Sequence, residues 1–152
     1  MGEPIDIAAL VGQGVAVMVA SRDGELRPEV GRAWGPSLSQ DGACLWVCVE
    51  GGPDSAMARN LESGSPVAAM ITRLAAVTSV QLKGRVIEVA APTQERLDAV
   101  AGHVDRFVAE TGMLGVSEAT ARALVGPELL AMTMEVTERF DETPGAGAGR
   151  AL

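Results

Sequence analysis

Two Asp-Gly dipeptides, Asp23-Gly24 and Asp41-Gly42, punctuate the first third of the chain and limit what can be built there. An Asp-Gly pair between apolar runs is a strong hairpin signal, because the tight turns that match strand twist need residues tolerant of positive φ. Residues 15–20, ahead of the first pair, form a short, continuous, β-branched run, which predicts a buried strand. Residues 26–34 return from that turn, with Pro28 near the start or at an edge, where a missing N–H is tolerated. Residues 43–49 return from the second turn. Three antiparallel strands in succession make a meander.

A short helix is expected over residues 4–11, stopped by Gly12. After the meander, Gly51 and Gly52 turn the chain into a helix start at Pro53, Asp54 and Ser55. That helix runs to about residue 63, with Met57 and Leu61 as its inward pair and Gly64 as its stop. Between the end of the third strand, Trp46 to Val49, and the first turn of this helix, unpaired N–H groups predict an anion pocket. Residues 67–71 and 78–89 read as two further strands, Gly84 marking a bulge or a close backbone approach. Pro92-Thr93 opens the longest helix, with Leu97, Val100, Ala101, Val104, Phe107 and Val108 at helical spacing. Ser117 caps another short helix, ended by Gly126-Pro127. Leu130, Met132, Met134 and Val136 alternate with more polar residues as a half-buried last strand.

Six strands dominated by hairpins, with few helices and no repeated βαβ alternation, predict a mainly β (α+β) fold: a small Greek-key-like antiparallel barrel with peripheral helices. The expected organisation is one domain over residues 1–142 and a flexible Gly/Ala-rich tail over 143–152, too poor in side-chain surface to pack itself.

Of 152 residues, 47% are hydrophobic and 21% charged, enough apolar material for a real core. The net charge of −8 argues against nucleic acid or anionic lipid as partners, since both demand a Lys/Arg excess. With no Tyr, two Phe and two Trp, base stacking is not a main mode of recognition. Cys44 and Cys48 lie four apart on one strand, roughly 13 Å between Cα atoms, beyond disulfide reach. With a single histidine they build no zinc site, so no metal is expected and both read as small hydrophobes. Neither a basic leader nor a long apolar run is present, and a reducing cytoplasm is the expected location.

No nucleophile elbow, P-loop or metalloprotease helix occurs. Gly12-Gln13-Gly14 lacks a third glycine at Val17 and precedes a strand, so it is not a dinucleotide fingerprint. His103 lies beside the apolar stripe of its helix and reads as a structural histidine. Lys83, Arg85 and Gln81 share one strand face, either solvated or approached closely by a ligand at Gly84.

Three stretches, residues 27–35 (RPEVGRAWG), 60–68 (NLESGSPVA) and 80–86 (VQLKGRV), resemble the pyridoxamine 5′-phosphate oxidase-like, FMN-binding split-barrel superfamily. The likeness spans residues 10–140. It implies a six-stranded split barrel that forms a homodimer, with FMN at the interface and an oxidoreductase activity on a small molecule. By that resemblance Arg32 helps hold the flavin, Ala33, Trp34 and Gly35 line its ring system, and Trp46 and Val47 lie beneath it. Trp34 and Trp46 also read as fillers of the core or the dimer interface. A serine followed by two basic residues clamps the phosphate in such proteins; the matching positions here are Ser55, Ala56 and Met57, so the basic pair is absent. Arg59 either substitutes from the next turn or is a surface arginine. The glutamine of the fifth strand matches Ser79, with Gln81 on the same face to take its role. The alternatives are a cofactor-free dimeric binding module, and a binder of another planar cofactor such as a deazaflavin or haem.

Overall fold

In the computed structural model residues 4–152 are described. The elements are α1 (Ile7–Val11), β1 (Ala16–Arg22), β2 (Pro28–Leu38), β3 (Cys44–Glu50), α2 (Ala56–Asn60), β4 (Pro66–Arg73), β5 (Thr78–Ala90), α3 (Gln94–Gly112), α4 (Glu118–Arg122), β6 (Leu129–Asp141) and β7 (Arg150–Ala151). Every strand pairing is antiparallel, in the order β3-β2-β1-β4-β5-β6, and β3 pairs with β6 to close a six-stranded barrel. The expected mainly β barrel is the observed one.

Alternation along each strand divides inside from outside. Val17, Val19, Leu45, Val47, Val49, Ala69, Ile71, Val80, Leu82, Met132 and Met134 fill the interior. Leu10 and Val11 of α1 and Met57 of α2, with Leu61 just past it, join the same core. A second core forms outside the barrel, where Trp34 and Cys48 lie under Val100, Val104 and Phe107 of α3 and Ala121 of α4. Burial pushes the Cys48 thiol pKa up; Cys44 is half-buried, and neither cysteine is bridged.

Several boundaries depart from the sequence reading. β2 continues past Trp34 to Leu38, because a register shift between Trp34 and Ser37 carries the strand through Pro36 without needing its missing N–H. Gly35 sits at that irregularity with φ +64°, and a Cβ there would meet the Val100 backbone nitrogen at 2.9 Å. This close approach sets the phase of α3: Val100, His103, Val104 and Phe107 face inward, while Leu97 and Ala101 are exposed. α2 ends at Asn60 rather than near 63, yet Leu61 is still buried. Gly84 does mark a bulge, with a register shift at Lys83/Gly84 that brings the Glu135 carbonyl where a Cβ would stand.

Residues 143–152 have little side chain to bury, but they do not trail away. The chain turns back so that β7 pairs with β6 (Phe140 with Ala151, Asp141 with Arg150), beside the stretch of β6 that β3 leaves free. Backbone bonds from Gly149 to Asp141 and from Leu152 to Arg139 hold it, with an Arg150–Asp141 ion pair of 3.3 Å. The missing term in the sequence reading is hydrogen bonding to an open strand edge, which needs no side chains.

Candidate functional site

On β2, β1, β4 and β5 the residues that alternate with the core set point outward, and strand register orders them into rows. Arg32 pairs with Met18, Met18 with Met70, Met70 with Gln81, and Gln81 with Phe140 of β6. One row along the barrel stand Val30, Ala20, Ala68, Lys83 and Glu138, likewise paired in sequence. Val30 is 55% exposed and Met18 38%, so an apolar strip lies open to solvent between cationic borders. Strands about 4.8 Å apart place Arg32 and Gln81 roughly 14 Å from each other across this strip. Arg32 makes no hydrogen bond or ion pair among the described residues, and the Gln81 amide makes no hydrogen bond among them either. Beside Arg32 opens an apolar cleft of ≈ 190 Å³ between the barrel and the helices, bordered by Ala16, Met18, Trp34, Phe107 and Leu124.

His103 belongs to the scaffold. Its ring is fully buried, Nδ1 accepts from the Gly35 N–H at 3.0 Å, and Nε2 donates to the Val15 carbonyl at 2.9 Å. Burial lowers its pKa from 6.5 to about 4. Trp34 is likewise scaffold: its ring meets Phe107 edge-on at 5.3 Å, and Nε1 donates to Glu50 at 2.8 Å. The same Glu50 oxygen accepts from Gly126 N at 3.0 Å, so one carboxylate ties the barrel to the loop before β6.

No protein-family profile matches the sequence, and no curated protein is similar to it. Solved structures are similar in fold. An F420 reductase aligns with a TM-score of 0.58 at 13% identity, covering 90% of this chain and 98% of that one. HutZ, the haem storage protein of Vibrio cholerae, aligns at 0.54 and 16% identity, covering 90% and 92%. A putative pyridoxamine 5′-phosphate oxidase from Lactobacillus delbrueckii aligns at 0.53 and 14% identity, covering 91% and 93%. The chain has the pyridoxamine 5′-phosphate oxidase-like split-barrel fold.

Within this split barrel the residues singled out by resemblance do not all converge. Arg32 and Gln81 share the open outer face. Ser79 is on that face but buried: its hydroxyl bonds with Thr72, while Thr143 accepts from its N–H and donates to its carbonyl. Ala33 and Val47 turn their side chains into the barrel core. Gly35 packs against α3, and half-buried Trp46 carries the Arg96 guanidinium over its ring at 5.1 Å.

At the start of α2 the Ser55 and Arg59 side chains are both held by the chain itself. Ser55 caps α2 by accepting from Ala58 N at 3.1 Å, and Arg59 donates to the Asp54 carbonyl at 2.7 Å. Met57, in the place of an expected cation, is 3% exposed, and its sulfur accepts from the Ser21 hydroxyl at 3.4 Å. The sequence reading missed Met18, Ala20, Ala68 and Met70. An unbroken apolar run looks buried on both faces, although period-two alternation with Val17 and Val19 places Met18 and Ala20 outside. Among the described residues no group of His, Cys, Asp and Glu could hold a metal ion, and no helix is long and apolar enough to cross a membrane.

Proposed function

We propose that this chain binds FMN on the outer face of β2, β1, β4 and β5 and works as a homodimer in a flavin-dependent oxidation or reduction of a small molecule. The observation that carries the reading is the Arg32–Met18–Met70–Gln81 row on the outside of the barrel. A flat, polarizable thioether floor suits a planar aromatic ring. The Gln81 amide offers both donors and an acceptor to the ring's heteroatom edge, and Arg32 supplies a positive charge. Similarity of fold to an F420 reductase and a putative pyridoxamine 5′-phosphate oxidase supports a planar redox cofactor on this scaffold. Flavin, when bound, supplies the redox chemistry; the chain's residues bind it, orient it and exclude water from one side. The exposed Met18 and Val30 favour a second copy of the chain as cover for the other side.

Haem, the cargo named for the similar HutZ, fits less well. The one histidine of this chain is buried with both ring nitrogens engaged, which leaves no imidazole for an iron. A deazaflavin fits the same face as FMN. Titration with each, followed by visible absorbance, separates these readings. The expected result is saturable FMN binding, weakened about tenfold or more by Arg32→Ala, the scale of one charge-assisted contact. Preference for the deazaflavin changes the cofactor and keeps the site; indifference to both leaves a cofactor-free dimeric binding module.

A further inference from the structure

Resting on the same outer face, we infer that the anionic group of the ligand, a phosphate or a comparable oxyanion, binds in a groove walled by Arg22, Lys83 and Arg85. This groove lies beyond the methionine floor along β1 and β4. It encloses ≈ 390 Å³, and its floor is made by Ala20 and Ala68, whose small side chains leave a trough between β1 and β4. The register places Lys83 beside Ala68 and Arg85 beside Pro66, and Arg22 closes the end of β1.

None of the three cations forms an ion pair among the described residues, in a chain with 20 acidic and only 12 basic side chains. Arg22 and Arg85 each give one N–H to a backbone carbonyl, of Asp23 at 3.4 Å and Gly64 at 2.9 Å, which holds the guanidinium and leaves its other donors free. Lys83 Nζ lies 4.7 Å from the Phe140 ring centroid. Glu138 is the one carboxylate on the groove wall, so the local charge is positive against a chain of net −8. Unpaired guanidinium forks beside an ammonium suit the tetrahedral oxygens of a phosphate. From Met18 to Arg22 along β1 is four residues, about 13 Å at strand rise, so a ring over Met18 and an anion at Arg22 belong to one extended ligand or two neighbouring ones.

The test compares FMN, riboflavin and pyrophosphate binding by calorimetry, on wild type and on the Lys83→Gln, Arg85→Gln double variant. Both positions face solvent or the groove, and the charge-preserving Lys83→Arg, Arg85→Lys pair controls for folding. If the cofactor's own phosphate sits here, FMN binds about tenfold or more tightly than riboflavin, and the double variant erases that preference while riboflavin binding stays. If the groove instead takes the oxyanion of a separate ligand, pyrophosphate binds wild type and not the double variant, with the FMN-to-riboflavin ratio untouched. The groove also stands if no flavin binds at all but pyrophosphate binding shows this dependence, so failure of the flavin reading is distinguishable. Wild type that ignores pyrophosphate, with an FMN preference unchanged by the double variant, overturns the assignment.

Discussion

His103 joins three parts of the molecule that are far apart in sequence: the loop before β1 through the Val15 carbonyl, the bulge of β2 through Gly35, and α3, which carries it. Both bonds require the neutral ring protonated on Nε2. Its pKa falls from 6.5 to about 4, so as pH drops the unfolded chain takes up this proton before the folded one. The contribution is therefore complete above about pH 6.5 and is lost progressively toward pH 4, up to about 3 kcal/mol in all. Urea unfolding at pH 7 and pH 5 reads this slope, and His103→Asn is expected to flatten it. His103→Ala leaves the Gly35 N–H and the Val15 carbonyl unpaired beside a void, an expected loss of about 3 kcal/mol at pH 7. Met57 explains the missing phosphate clamp in the same terms: a cation there would lose its water inside the end of the barrel.

The strands were the most legible elements, because β-branched runs bounded by Asp-Gly leave few alternatives, and all six appear in their expected order. The extensions of β2 and β6 were not legible. One crosses a proline by a bulge, and the other outruns its apolar alternation at Glu138 and Arg139, paired by backbone alone to β5. Of the candidate site, the outward placement of Arg32 and Gln81 was legible from alternation, and the local engagement of the Ser55, Arg59 and Ser79 polar groups by the fold was not. At Gly84 the backbones of β5 and β6 meet so closely that Gly84→Ala must displace the Glu135 carbonyl. A loss of about 2 kcal/mol or more is expected, seen as a fall of roughly 5–10 °C in Tm. β7 is held by few backbone bonds and a half-exposed ion pair, so removing residues 144–152 is expected to cost about 1 kcal/mol and shift Tm by a few degrees. Unfolding of the truncated chain would show that the return strand is integral to the barrel.

Taken whole, the molecule is a closed barrel with one face covered by α3 and α4 and another left open, apolar at Met18 and Met70 and cationic at Arg22, Lys83 and Arg85. On that open face β1 and β4 are each paired on both sides, so a ligand there meets side chains rather than unpaired backbone. A ring lying on that face would gain one apolar wall from the chain and a second from the proposed partner copy. The proposed cofactor site thus depends on the proposed homodimer, whereas the homodimer does not depend on the cofactor. Analytical ultracentrifugation of the protein mixed with FMN, recorded at a flavin wavelength as well as at 280 nm, reads both at once. The expected result is flavin absorbance sedimenting with a two-chain species at one FMN per chain. Flavin that stays behind as free dye, beside protein sedimenting as a single chain, would contradict it.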